Sequence, residues 1–176
     1  MFARFTEGAR RAVVRAGTLA LDAGRSTLDA DLLLLGVAEV RPFSLESFTA
    51  SEADVRARVD VGDARALLAT LGIDLDAVHR RSRAGLDVPG LWSLRRSRVR
   101  PLRVTLYGPL GQIPLAMHAR KVIEVAMWRP GPVAGEDLLW GLLADHANGA
   151  AAILRDAGVD LTALIREARV PTRRTA

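Results

Sequence analysis

The chain contains no cysteine, few aromatic residues and a single lysine. The absence of cysteine excludes disulfides, thiolate metal sites and a cysteine nucleophile from its 176 residues. Aromatic residues make up only 5% of the sequence, so the core must consist mainly of Leu, Val, Ile and Ala. Because Ala and Leu are good helix formers and β-branched runs are short, we expect an all-α fold.

Long apolar runs are also missing. The longest are a few residues, whereas about 20 are needed to cross a bilayer, and the first residues lack the apolar core of a signal peptide. We therefore expect a soluble, cytoplasmic protein without a membrane partner. No Gly-x-x-x-x-Gly-Lys-Ser/Thr phosphate loop is present, so we expect no ATPase activity.

Residues that would support catalysis are not grouped in the sequence. His79, His118 and His146 follow no metal-ligand spacing. In the Ser-rich stretch 44–51 no serine has a partnering His or acid in a pattern that would make it a nucleophile. We therefore expect no catalytic residue, no metal, no cofactor and no enzymatic activity.

Three short segments recur in the same order, which indicates an internal repeat. Residues 5–13 pair with 115–123, 31–37 with 136–142, and 71–78 with 157–164. Partner segments are 105 residues apart at Gly36 and Gly141, but 86 apart at Gly72 and Gly158. The first repeat therefore contains about 19 additional residues, which we place as an insert at about 42–60.

Each repeated segment has the pattern of a helix. Thr6 is suited to cap the first helix, and Asp29 or Asp31 to begin the next, at 32–40. Gly72 and Gly158 are typical helix-terminating glycines, each followed by a capping aspartate, Asp74 or Asp160. The pattern predicts four helices per repeat, with repeat 1 at 1–84, a basic inter-repeat linker at 85–112, repeat 2 at 113–170 and a disordered tail at 171–176.

Arginines concentrate between the repeats. The net charge is +5, and Lys121 is the only lysine among 25 basic residues. Between 80 and 112 there is one acid, Asp87, and eight arginines: Arg80, Arg81, Arg83, Arg95, Arg96, Arg98, Arg100 and Arg103. Residues 104–107 are a candidate strand. We expect the apolar residues of this segment to pack against the helices: Trp92, Leu94, Leu102, Leu106 and Tyr107.

The motifs resemble those of a known family. Residues 1–10, Met-Phe-x-Arg-Phe-Thr-x-x-Ala-Arg, resemble the opening of ClpC-type Clp ATPases. Residues 31–36 and 136–141 stand where that family has a Thr-Glu-His-Leu-Leu-Leu-Gly-Leu type signature, and 71–75 match its Leu-Gly-x-Asp-Leu signature, as 157–161 do more loosely. One such motif alone would be a weak signal, but three motifs that occur in the same order in both repeats make the resemblance to this family specific. The chain resembles the Clp N-terminal repeat domain without its ATPase modules, and the resemblance implies two pseudo-twofold-related four-helix repeats.

The resemblance also implies a binding site. In the family a glutamate at the positions of Asp31 and Glu136 holds the guanidinium of phosphorylated arginine. Thr6 matches a threonine near the phosphate, whereas its partner in the second repeat is Ala116. On this interpretation Thr6 accompanies the shorter Asp31, Ala116 accompanies Glu136, and each site lacks one polar contact. The alternative is that both acids only stabilise the first turn of a helix.

A second surface is implied for cyclic-peptide antibiotics. Phe2 matches a family phenylalanine that lines this surface. In the second repeat Leu115 stands where the family has the counterpart aromatic residue. Arg120 stands where the family has a nearby lysine. The alternative is that Phe2 and Phe5 are a hydrophobic anchor for the first helix.

The expected function follows from the resemblance. We expect a stand-alone Clp N-domain-like protein that binds peptides, phosphoarginine-marked substrates or an adaptor. It would modulate or protect a Clp protease system, with Clp ATPase or protease components as further partners. The alternative is a nucleic-acid-associated protein that uses the Arg-rich segment 80–103.

Overall fold

The computed structural model describes residues 1–60, 89–97, 99 and 102–168. Several features expected from the sequence lie outside these residues. They are segment 71–78 with Gly72 and Asp74, His79, the boundary at 84/85, the tail at 171–176, and Arg80, Arg81, Arg83, Arg98 and Arg100.

Helices dominate the part of the chain that the structure describes. The seven α-helices are α1 (Glu7–Asp22), α2 (Ala30–Val40), α3 (Glu52–Arg56), α4 (Met117–Ala126), α5 (Gly135–Ala144), α6 (Ala150–Asp156) and α7 (Leu161–Glu167). Short 3-10 turns occupy Phe2–Arg4, Pro89–Leu91 and His146–Asn148. None of these helices is long and apolar enough to span a membrane.

The all-α expectation is wrong, because the basic middle segment forms a three-stranded antiparallel sheet. Its strands are β1 (Ser93–Arg96), β2 (Val104–Gly108) and β3 (Gly111–Pro114), in the order β1-β2-β3. The protein is therefore mostly helical with a sheet, and not two purely helical four-helix repeats. The strand expected at 104–107 is β2.

The sheet forms because one of its faces covers α1. Leu94, Leu106 and Ile113 lie side by side across the three strands, and each is at most 2% exposed. Gly17 of α1 makes room for Leu106, since a Cβ at Gly17 would lie 2.2 Å from Leu106 Cδ2. Trp92 is buried as well, as expected, whereas Leu102 and Tyr107 are exposed.

Helix ends follow the capping residues in the sequence. Thr6 Oγ1 accepts a hydrogen bond from Ala9 N at 3.3 Å, and Asp29, not Asp31, caps α2 through Leu32 N at 2.9 Å. Asp160 caps α7. Gly158 has φ of 82°, the left-handed geometry expected after α6.

The helix pairs α1/α2 and α4/α5 make equivalent close contacts. A Cβ at Gly36 would lie 2.6 Å from the Ala12 carbonyl oxygen. A Cβ at Gly141 would lie 2.5 Å from the Val122 carbonyl oxygen. The aligned glycines thus allow the same close approach within each pair.

Residues 42–60 pack against the helices. Phe48 is 1% exposed and meets Phe43 edge to face, with 5.1 Å between ring centroids. Ser51 and Asp54 form a capping box that begins α3, which contacts α2. Pro42, the first residue of this segment, lies at the site described next.

Candidate functional site

Two short backbone bridges connect the beginnings of helices from opposite halves of the chain. Phe5 bridges Val133, and Leu28 bridges Leu115, both in parallel orientation. The first bridge places the start of α1 beside the start of α5. The second places the start of α4 beside the start of α2.

The first bridge sets Thr6 beside the segment that leads into α5, the helix that contains Glu136. Thr6 N donates to Val133 O at 2.9 Å, and α5 begins two residues after Val133. Glu136 lies in the first turn of α5 and is partly exposed. The sequence-based pairing of Thr6 with Asp31 is therefore wrong, because the partner of each helix start comes from the other half.

Both helix starts at this site contact Pro42. A Cβ at Gly135 would lie 2.4 Å from the Pro42 carbonyl oxygen, and a Cβ at Gly8 would lie 3.3 Å from Pro42 Cβ. Position 135 therefore cannot accommodate a side chain without displacing backbone. This close packing fixes the two helix N-termini relative to each other.

Polar groups at these helix starts remain available for a ligand. The Glu136 side chain makes no hydrogen bond or ion pair in the part of the chain that the structure describes. Its neighbour Asp137 serves the helix instead, since it accepts from Ala134 N at 2.9 Å and from Arg129 at 3.0 Å. The backbone N–H groups of Glu7 and Gly8, at the first turn of α1, likewise have no acceptor among the described residues.

The second bridge brings Asp31 beside Ala116 and His118. Ala116 begins α4 without a side-chain cap. Oδ1 of Asp31 is buried and has no hydrogen-bond partner among the described residues. Burial raises the pKa of Asp31, and the nearby charge of Asp29 raises it further, while His118 acts in the opposite direction. This position therefore disfavours an ionised carboxylate.

His118 is directed to another acid, Asp145. His118 Nδ1 lies 2.9 Å from one oxygen of Asp145, and Lys121 Nζ lies 3.1 Å from the other. These contacts, that of His118 first, lower the pKa of Asp145, which is only 4% exposed. His118 thus belongs, with Lys121, to a cluster around the buried carboxylate of Asp145.

The raised pKa of Asp31 predicts a pH-dependent gain from Asp31→Asn. The folded state favours protonated Asp31, so its contribution to stability is complete below the unfolded pKa and is lost as pH rises through the folded pKa. At pH 7 the variant should therefore be more stable than the parent. Denaturant titrations should show this advantage shrinking at acidic pH. An equal difference at both pH values would contradict the prediction.

Phe2, Leu115 and Arg120 serve the fold. Phe2 is 6% exposed and packs edge to face on Phe5, with 5.4 Å between ring centroids, and Leu115 is 8% exposed. Arg120 donates to the Leu102 carbonyl oxygen at 2.6 Å. Two of the three offer little surface to a ligand and the third holds a loop, so we leave them out of the candidate site.

Sequence reasoning missed Pro42, Gly135 and the Asp145 cluster. His118 and Lys121 are three residues apart on α4, a spacing that places them on one helical face. Nothing in the sequence indicates that Asp145 meets them. Within the described residues no three His, Cys, Asp or Glu side chains are placed to hold a metal ion.

Comparison with known proteins adds no relative. No protein-family model and no curated protein matches the chain. The resemblance to ClpC-type N-terminal domains stays a prediction that depends on the motifs alone.

Proposed function

We propose that this protein is a recognition domain that binds a peptide carrying phosphorylated arginine between the start of α1 and the start of α5. The observation that supports the proposal is the bridge from Phe5 to Val133, which sets Thr6 beside the segment that leads into α5, the helix that contains Glu136. Both residues match positions that hold phosphoarginine in the family that the motifs resemble.

The chemistry of the two helix starts fits the two ends of this ligand. A carboxylate pairs with a guanidinium through charge-assisted hydrogen bonds, which is the role we assign to Glu136. A helix N-terminus with free N–H groups favours a phosphate, which is the role we assign to Glu7 N and Gly8 N. The Thr6 hydroxyl adds a donor on the phosphate side.

The second bridge supports a weaker site or none. It combines Ala116, which has no hydroxyl, with Asp31, which is shorter than glutamate and whose raised pKa disfavours the charge that a guanidinium needs. We therefore propose one site that has both the threonine hydroxyl and the full-length carboxylate, and a second position that has neither. The sequence-based pairing left each of two sites with only one of these contacts.

The cellular role that we propose derives from the resemblance. The domain would recognise marked proteins, other peptides or an adaptor in the cytoplasm, and so modulate or protect a Clp-type protease system. We assign it no catalysis, because its proposed groups bind and orient a ligand without a nucleophile between them.

Isothermal titration calorimetry at neutral or mildly alkaline pH tests the proposal directly. The parent protein should bind free phosphoarginine and a phosphoarginine peptide, and the matched unphosphorylated peptide should bind at least about tenfold more weakly. A phosphoserine peptide is the control for general phosphate binding. Absence of phosphoarginine binding, or equal binding of all three peptides, would refute the proposed function.

A further inference from the structure

The outer face of the three-stranded sheet forms an open groove that the proposed function does not use. It has a volume of about 380 Å³, and its lining includes Arg95, Arg96, Arg103, Tyr107 and Gln112. No carboxylate lines it among the residues that the structure describes. The groove is therefore a concave, positively charged surface with one aromatic ring.

The strand register directs Arg95, Tyr107 and Gln112 outward. Arg95 pairs with Thr105, and Tyr107 pairs with both Ser93 and Gln112, so these residues share the face opposite the buried leucines. Tyr107 is 38% exposed. The same alternation that fixes the sheet on α1 thus presents Arg95, Tyr107 and Gln112 to solvent.

The three arginines of the groove differ from one another in their contacts. The guanidinium of Arg95 lies over the Tyr107 ring, 5.5 Å from its centroid. Arg96 pairs with Glu124 at 2.7 Å. The Arg103 side chain has no partner among the described residues, although its backbone is held by Ser97 N at 2.8 Å. Arg103 thus provides a charge without an ion-pair partner among the described residues, beside a stacked arginine–tyrosine pair.

We infer that this groove binds single-stranded nucleic acid, with a base stacked against the Arg95–Tyr107 pair and the neighbouring phosphate on Arg103. Aromatic rings beside arginines on a sheet face suit unpaired bases, because every base has a flat face and a phosphate next to it. A base inside a duplex is not free to enter a concave groove. An acidic peptide would use the charges but has no flat base to add to the Arg95–Tyr107 pair.

This inference is independent of the phosphoarginine site. The groove residues lie on β1, on β2, on β3 and in the adjoining loops, whereas the proposed peptide site lies at the starts of α1 and α5. Failure of either proposal leaves the other unaffected.

Fluorescence anisotropy with short labelled RNA and DNA single strands tests the inference. Tyr107→Leu should weaken binding about tenfold or more, and Tyr107→Phe should bind like the parent. Arg103→Gln should reduce the slope of log affinity against log salt by about 0.7, the loss of one phosphate contact. Arg166→Gln, an equal charge change at an exposed position on α7, is the matched control and should keep the parent slope.

The outcomes separate the groove from general basic charge. The inference is supported if the parent binds single strands more strongly than a duplex of the same length. Tyr107→Leu should lose this preference, and Tyr107→Phe should keep it. Equal losses in Arg103→Gln and Arg166→Gln would overturn it, as would preference for the duplex. Binding of an acidic peptide in place of both single strands, or no binding at low salt, would also overturn it. Comparing the RNA and DNA strands identifies which nucleic acid the groove prefers.

Discussion

Leu106→Ala is expected to lower the free energy of unfolding by about 2–5 kcal/mol, the usual cost of deleting a buried leucine side chain. Leu106 is fully buried, and its Cδ2 fills the space left open by Gly17 on α1. The truncation would leave a cavity between the sheet and α1. Chemical denaturation followed by far-ultraviolet circular dichroism measures the loss.

Leu102→Ala is the matched control for this measurement. Leu102 precedes β2 in the same segment and is 73% exposed, so its truncation should change stability by no more than about 0.5 kcal/mol. Its backbone contact with Arg120 is unchanged by the substitution. If both variants lost the same small amount, the sheet would not be part of the core.

Glu136→Gln is expected to weaken phosphoarginine binding by about tenfold to about a hundredfold, the value of one charge-assisted hydrogen bond. The substitution keeps the size of the side chain and removes the charge that pairs with the guanidinium. Asp137, which accepts from the backbone at the start of α5, is left in place. Calorimetry with free phosphoarginine measures the change.

Asp31→Asn is the corresponding control. Asp31 lies in the first turn of α2, as Glu136 does in α5, but beside Ala116 and with a raised pKa. Its substitution should leave the affinity within about twofold. Equal losses from the two variants would contradict the assignment of a single competent site.

Local features of the fold could be predicted where the sequence contains a capping signal. Thr6, Asp160 and Gly158 end or begin helices as expected, because a cap depends on only a few neighbouring residues. The start of α2 remained ambiguous between Asp29 and Asp31. Both are acidic, and only the backbone geometry selects Asp29.

The sheet could not be predicted in full, because β1 and β3 have little intrinsic strand preference. Their sequences, Ser-Leu-Arg-Arg and Gly-Gln-Ile-Pro, contain one β-branched residue between them. What holds them is the burial of Leu94 and Ile113 beside Leu106, together with the pairing to β2. The burial of this face depends on contact with α1, which is distant in sequence.

The pairing of helix starts was beyond sequence reasoning for a different reason. An internal repeat shows which residues are equivalent, but it does not show whether equivalent sites form within a repeat or between repeats. The bridges from Phe5 to Val133 and from Leu28 to Leu115 decide in favour of the second arrangement. In this arrangement the helix start beside Thr6 is that of Glu136 and not that of Asp31.

A double-mutant cycle on phosphoarginine affinity tests this arrangement most directly. Thr6→Ala is combined with Glu136→Gln in one cycle and with Asp31→Asn in a second, after circular dichroism has shown that each variant is folded. We predict a coupling energy of about 0.5–3 kcal/mol between Thr6 and Glu136, and additivity within about 0.5 kcal/mol between Thr6 and Asp31. Coupling of Thr6 to Asp31 and not to Glu136 would contradict the crossed site.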